Sequence, residues 1–438
     1  MLSALGMVKW AAVYAAAVLA PLFFMLVGDP PGGRGWWADL SMAFGFIGLA
    51  MLGLQLAVTA RFSAIDAPFG LDAVLRFHRQ ISFVAFALVL LHPLMLFVQD
   101  PSLWSLLDPR RTTVAASWGI VSVLLLVALL VTSLWRRGLG LSYEVWRVSH
   151  GLLAIGVVAT ALIHVERVGY YVSGPLQRLV WFAMTAGLIG LLVYVRLLRP
   201  WQLAKRPWVV DTVDRVPGGA WRLQLRPDGH DGLRFLAGQF AWLRLDRSPL
   251  SVREHPFSFS SSAEEPDRLE FTIKELGDDT RRLGELEPGD RAFVDGPYGA
   301  FTYARNQAAG FVFIAGGVGI SPVLSMLRTL ADVEDRRPML LVCANVGEDD
   351  VIAAEEVEAL RSRLDLEVVH VLEEPPDGWQ GETGRVDGEL LDRHLPARPA
   401  RYAYFVCGPP AMMAALESLL AERGIPDERI SSERFDLI

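Results

Sequence analysis

The first half of the chain carries four histidines before His230, and they fall into two pairs of identical spacing, His78 with His92 and His150 with His164. Fourteen helical residues rise ~21 Å and turn to within ~40° of a whole number of turns, so each pair shares one helix face at two depths. The flanking sequence is apolar, and an ionisable side chain inside a bilayer is costly enough to mark a ligand or a pathway. Imidazole is a standard axial ligand of haem iron, so the spacing points to two stacked haems. A single histidine of this kind reads as a helix-packing residue; a repeated, matched spacing does not. Carboxylates and thiols are missing at ligand spacing, which argues against a metal held without porphyrin.

The elements that must carry these histidines follow from composition. Up to Lys205 there are 15 Lys+Arg against 8 Asp+Glu, and beyond it 26 against 41, so a half of about +7 precedes one of about −15. A basic, apolar half before an acidic, ordinary one reads as a membrane domain joined to a soluble one. Six apolar stretches are long enough to span, at roughly 7–28, 38–60, 78–98, 115–134, 145–165 and 176–198. The first is Ala-rich like a secretion signal, but its apolar length favours an anchor. With the N-terminus inside, 11 Lys/Arg fall on the cytoplasmic side and 5 outside, which places the soluble half in the cytoplasm. Cys343 and Cys407 are the only cysteines, too few for an iron–sulfur cluster or a disulfide framework.

Topology then selects the pairing. The third and fifth spans cross in the same direction, so His78 meets His150 near the cytoplasmic face and His92 meets His164 toward the outside. His78 and His92 cannot share one iron across ~21 Å. Arg76, Arg79 and Arg147 flank the inner level, either as partners of haem propionates or as positive-inside anchors.

The soluble half opens with strand-like runs at 208–213, 221–227, 241–246 and 268–275, the pattern of a small antiparallel barrel. Within it, 255-HPFSFSSS-262 sets a His, a Pro and hydroxyls at a strand end, suited to a flavin ring and its pyrophosphate or to ordinary strand chemistry. The run 272-TIKELGDDT-280 offers Lys274, Gly277 and Thr280 where a strand turns into a helix, a setting for phosphate. From about 306 strands and helices alternate, as in a parallel sheet with crossover helices. Strand 311–315 enters 316-GGVGISP-322 and then a helix, the arrangement that lets backbone N–H groups meet a diphosphate. Strand 402–406 ends in 407-CGPPAMM-413, which puts Cys407 and Gly408 where nucleotides bind such sheets, or leaves Cys407 as a small buried hydrophobe. Phe435 near the end either lies on the flavin or closes the core.

Taken together, these motifs resemble the NADPH oxidase and ferric reductase superfamily over nearly the whole chain. The resemblance implies a multidomain membrane protein: a six-helix transmembrane haem bundle at 1–204, an antiparallel β-barrel flavin domain at 205–305 and an α/β parallel-sheet nucleotide-binding domain at 306–438. It implies FAD on His255, Pro256, Phe257 and Ser258, nucleotide phosphates on Gly316, Gly317, Gly319 and Pro322, and Cys407, Gly408 and Pro409 beside the nicotinamide. Catalytic roles would fall to Cys407 and Phe435, although Asp436, Leu437 and Ile438 follow an aromatic that in the oxidases commonly ends the chain. The expected chemistry is electron transfer from cytoplasmic NAD(P)H through FAD and two b-type haems to an outside acceptor across the plasma (inner) membrane. Short outer loops favour dioxygen, giving superoxide, over a ferric chelate; a non-enzymatic conduit to an external partner protein is the other class. Glu348, Asp349 and Asp350 after the second strand disfavour a 2′-phosphate, so use of both NADH and NADPH is expected. Membrane lipid is the expected surrounding, with no nucleic-acid partner and no regulatory subunit.

Overall fold

Backbone amides in hydrocarbon have no water to bond, so apolar runs of this length must close their hydrogen bonds internally as helices. The computed structural model describes residues 4–27, 35–62, 70–245, 248–305 and 307–433, and the chain forms two compact units that divide at Arg199 and Pro200. The first unit holds α1 (Ala4–Leu26), α2 (Trp36–Val58), α3 (Leu71–Gln99), α4 (Val114–Leu134), α5 (Tyr143–Val168) and α6 (Pro175–Val193). Thr113 caps α4 by accepting from Ala116 N–H at 3.1 Å, Ser142 caps α5 by accepting from Val145 N–H at 3.3 Å, and left-handed Gly169 ends α5.

Among the described residues, five segments are long and apolar enough to cross a membrane: Trp36–Val58, Ala73–Gln99, Val114–Leu134, Tyr143–Val168 and Pro175–Ala204. The sixth expected stretch, the first in the chain, falls on α1, a helix of 23 residues, within which Val8–Phe24 is a shorter apolar segment among the described residues. The third stretch also differs from expectation. Its helix starts at Leu71 rather than 78, because the polar turn around Arg76 and Arg79 continues the helix, and His78 therefore sits two turns inside α3.

The second unit has two sheets. Strands β1 (Trp208–Val216), β2 (Ala220–Pro227), β3 (Phe240–Arg244), β4 (His255–Ser258), β5 (Leu269–Lys274) and β6 (Arg291–Tyr298) form an antiparallel sheet of order β4-β3-β6-β1-β2-β5. A bridge between Phe259 and Phe271 brings its two edges together around a core of Leu223, Leu225, Phe259, Leu269, Phe271 and Ile273. Strands β7 (Phe311–Gly316), β8 (Met339–Asn345), β9 (Leu366–Leu372), β10 (Glu382–Thr383), β11 (Ala403–Cys407) and β12 (Ile430–Glu433) form a parallel sheet of order β10-β9-β8-β7-β11-β12. Helices α7 (Ile320–Asp332), α8 (Ala354–Leu360), α9 (Gly388–His394) and α10 (Pro410–Glu422) connect its strands. Phe311 to Ile314 are wholly buried, as strands covered on both faces must be. The strand order reverses between β7 and β11, and in sheets of this kind ligands bind at that switch point, beyond the carboxyl ends.

Candidate functional site

In the membrane unit, α3 and α5 face their histidines at one another in two layers. The ring centres of His78 and His150 are 6.4 Å apart, and so are those of His92 and His164. Two metal–imidazole bonds of ~2 Å, with each ring centre ~1.1 Å behind its nitrogen, require ~6.3 Å. Both layers thus match the span of one iron held from two sides.

Each ring is also fixed in the tautomer that ligation needs. His78 Nδ1 donates to Gln55 Oε1 at 2.6 Å and His164 Nδ1 to the Ala115 carbonyl at 2.8 Å. His92 Nδ1 lies 3.1 Å from the Ser41 carbonyl. His150 Nδ1 is 3.1 Å from Ser133 Oγ, whose own proton goes to the Leu129 carbonyl at 2.7 Å. With Nδ1–H engaged, Nε2 keeps its lone pair for a metal. Small residues leave room for the rings: a Cβ on Gly119 would meet His164 at 2.9 Å, and one on Gly45 would meet His92 at 3.3 Å. No group of three or more His, Cys, Asp or Glu suited to an ion exists among the described residues, so two imidazoles need a ligand that completes the coordination itself. The residues fit haem. Sequence reasoning passed over Gln55, Ser41, Ser133 and Ala115; Gln55, a buried amide inside an apolar helix, was the one with a visible signal. Arg79 stands exposed next to His78, and Arg147 is half-buried one turn before His150.

In the second unit, β4 carries the flavin candidates. His255 and Phe257 line a cavity of about 360 Å³ with Arg253, Asp279, Thr280 and Arg282. His255 Nε2 faces Asp279 Oδ2 at 3.1 Å, so the imidazole expected to meet a pyrophosphate here meets a carboxylate. Pro256 and Ser258 point the other way and are buried. The Ser258 hydroxyl finds no partner among the described residues, an orphan that a polar edge of a flavin would satisfy. Lys274 ends β5 opposite Ala220. Gly277 opens the next turn, and Thr280 Oγ1 orders it by accepting from Leu276 N–H at 2.9 Å and Gly277 N–H at 3.0 Å.

At the switch point of the parallel sheet the backbone of Gly316 and Gly319 packs on that of β11's end, while Gly317 makes the left-handed turn between them (φ 52°) with open space beside it. A Cβ on Gly319 would lie 2.3 Å from the Cys407 carbonyl oxygen, and one on Gly408 only 3.0 Å from Gly316 N. Pro409 closes over Gly316, and Pro322 lies buried in the first turn of α7. Cys407 is paired in register with Ala315 on one side and Glu433 on the other. Burial, and then the Glu433 charge, push its thiol pKa up, and burial pushes Cys343 up to about 12, so both remain protonated. Glu433, which the motif reading missed, also reaches the flavin sheet: a Cβ on Gly299 would meet its Oε1 at 2.9 Å and the Phe240 ring at 3.1 Å, and Phe240 pairs with Ser258. Ser258, Cys407 and Glu433 are thereby drawn toward one place. Phe435 lies outside the described residues.

Residues 44–161 match the family described as ferric reductase like transmembrane component, 222–302 that described as FAD-binding domain, and 313–418 that described as oxidoreductase NAD-binding domain. The chain thus joins a ferric-reductase-like transmembrane component to FAD-binding and NAD-binding oxidoreductase domains. It is an integral membrane chain with about five candidate spans, followed by the FAD-binding and NAD-binding domains of an oxidoreductase. Among curated relatives, NADH-cytochrome b5 reductase 1 of Lodderomyces elongisporus is 35% identical over 167 residues, covering 37% of this chain and 56% of that protein. The protein of the same name from Mortierella alpina is 29% identical over 220 residues, covering 49% and 74%. The chain thus spans little more than half of the first relative's length. Among solved structures it is similar to Malassezia yamatoensis flavohemoglobin (20% identity, TM-score 0.48, 91% of this chain and 96% of that one). It is likewise similar to an Amycolatopsis cytochrome P450 reductase (24%, TM-score 0.47, 52% and 69%).

Gly319→Ala tests the close approach at the switch point. The added methyl must move the glycine turn or β11, so KM for the nicotinamide donor is expected to rise at least ~10-fold with FAD content unchanged. Steady-state kinetics beside flavin quantification checks both.

Proposed function

We propose that this oxidoreductase carries electrons from cytoplasmic NAD(P)H, by way of FAD and two b-type haems, through six spans of the plasma (inner) membrane to dioxygen outside, which leaves as superoxide. The observation that carries the reading is the double facing of imidazoles at 6.4 Å, each ring held by its Nδ1. When bound, FAD supplies the conversion of a two-electron donation into single electrons, and haem supplies a one-electron relay.

The chain's own residues bind and orient. His78 and His150 would hold the inner haem and His92 and His164 the outer, with Arg79 and Arg147 available to propionates. His255, Pro256, Phe257 and Ser258, with Lys274, Gly277 and Thr280, would hold FAD. Gly316, Gly317, Gly319 and Pro322 would take the nucleotide phosphates, leaving Cys407, Gly408 and Pro409 at the nicotinamide. Cys407 would act there as a neutral S–H, since burial keeps it protonated. The 11 to 5 bias of basic residues supports a cytoplasmic second unit.

His78→Leu and His150→Leu are expected to remove the same haem, and His92→Leu and His164→Leu the other, each halving haem content by pyridine haemochrome assay. Gln55→Leu, which frees the His78 ring, is expected to weaken the inner haem ~10-fold or more in a titration.

The donor pocket is acidic. Glu348 and Asp349 are exposed after β8, and three arginines that could otherwise meet a 2′-phosphate lie against carboxylates: Arg328 with Glu270 and Glu356, Arg336 with Glu334, Arg385 with Glu373. The NADH in the relatives' names supports the same view. Both nucleotides are therefore expected to serve, and a kcat/KM for NADPH more than ~100-fold above that for NADH, about 2.7 kcal/mol, would reverse this assignment.

On the outer side the described carboxylates are engaged except for Glu166 Oε2, which has no partner among the described residues. Asp39 accepts from Tyr171 Oη at 2.7 Å, Asp100 from Ser102 Oγ at 2.6 Å and Asp108 from Arg110 N–H at 2.9 Å, while Glu166 lies 4.0 Å from Arg178. That suits a small diffusing acceptor better than a ferric ion held in place. The ferric-reductase-like transmembrane component favours a ferric chelate as the second reading. NAD(P)H consumption by the FAD-loaded protein in detergent, first in air and then without oxygen but with ferric citrate, separates them. Aerobic turnover with superoxide-dismutase-sensitive reduction of a reporter is expected; negligible aerobic turnover with rapid anaerobic iron reduction makes it a ferric reductase.

A further inference from the structure

Helix α7 follows directly on the glycine turn Gly316–Gly319, and one of its faces is polar although buried. Ser321, Ser325 and Thr329 are at most 3% exposed, and Arg328 lies beside them, a spacing of four, three and one residues that forms a single stripe. That stripe bonds to the flavin sheet. Ser321 Oγ donates to the Thr272 carbonyl at 2.9 Å, and Thr329 Oγ1 accepts from Ala263 N–H at 2.9 Å.

Arg328 does most. Its Nη1 donates to Glu270 Oε1 at 2.7 Å and to the Ser260 carbonyl at 2.7 Å, while Nε and Nη2 form a fork on Glu356 of α8. Glu270 sits on β5 with its carboxylate 6% exposed, and it accepts further from Gln224 Nε2 at 3.0 Å and Ser260 Oγ at 3.3 Å. Burial opposes the arginine's charge, but the hydrogen bond to Glu356 and the Glu270 charge more than compensate and raise its pKa. A buried ion pair of this kind is no more stabilising than apolar packing of the same volume; what it adds is direction and fixed length. Its two ends are telling. Ser260 stands two residues after Ser258, at the flavin end of β4, and Arg328 stands on the helix whose N-terminus meets the nucleotide phosphates.

We propose that Arg328 is a positioning residue that sets the register between the nucleotide sheet and the flavin sheet, and so the approach of the nicotinamide to the flavin. This rests on the reading of NAD(P)H as donor and FAD as first acceptor. Donation requires near-contact of the reacting atoms, and a shift of ~1 Å between the sheets is enough to slow it ~100-fold without loss of binding. A merely structural arginine would lower stability or FAD content and leave the rate in the surviving holoenzyme alone.

The test is rapid mixing of the full-length, FAD-loaded protein with NADH in the absence of oxygen, following flavin bleaching over a range of NADH concentrations. Arg328→Ala is expected to lower the limiting rate at least ~10-fold, with the Kd for NADH within ~3-fold of wild type and FAD content per chain unchanged. Arg328→Lys recovers only part of the rate, because an ammonium cannot make the fork on Glu356. If Arg328→Ala fails to retain FAD, Glu356→Gln, which leaves the Glu270 arm in place, decides: a loss of ~3-fold or more in limiting rate supports the proposal and an unchanged rate overturns it. A limiting rate within twofold of wild type, or a change confined to Kd, overturns it as well. Wild-type flavin that neither NADH nor NADPH reduces would remove the donor reading itself, and this inference with it.

Discussion

An imidazole inside an apolar helix bundle is tolerable only when both ring nitrogens have partners, and this requirement organises the membrane unit. The Nδ1 partner is in place at all four rings, on α2 for His78 and His92 and on α4 for His150 and His164. Ser41 and Gln55 are themselves fourteen residues apart, the spacing of the histidines they serve, so α2 repeats the two-layer period of α3. Ala115 and Ser133 are eighteen apart on α4, a further whole number of turns. Four helices thus share one constraint, and the ring centres are left 6.4 Å apart in each layer, a span that one metal ion held by two imidazoles matches.

The second unit meets a different constraint, close approach of backbone to backbone. A parallel sheet presents its strand ends at the switch point, and a nucleotide binds there only if the chain stays thin. Gly316, Gly319 and Gly408 keep it so, since any Cβ would run into the neighbouring strand end. The same packing shuts Cys407 and Cys343 from water. They flank Ala315 in adjacent strands, two strand spacings apart, and are free thiols rather than a disulfide.

Buried polar groups in this unit lie within the antiparallel sheet, where Arg244 pairs with Glu254 and Asp295, and along the seam between the two sheets. At the seam Ser260, Ser261, Glu270, Thr272, Ser321 and Thr329 are all buried and bonded. An apolar seam would hold two sheets together in many near-equivalent ways; directional bonds select one.

Periodicity and local turn chemistry determined a good deal without any structure. The apolar runs, the alternation of strand and helix after 306 and the glycine turn between β7 and α7 are each dictated by neighbours in the chain, because helix, strand and turn are short-range choices. The histidine spacing belongs to the same class, since helical geometry alone puts His78 and His92 on one face. What lies between elements was not legible. The helix α3 extends a full two turns before His78 because polar residues at a membrane edge continue a helix that hydropathy cannot see. Gln55 with His78, Glu433 with Cys407, and Arg328 with Glu270 join residues 23, 26 and 58 positions apart. Nothing in the local sequence encodes such meetings; they exist only once helix packing and strand order have fixed which distant side chains become neighbours, and there the tertiary structure decided.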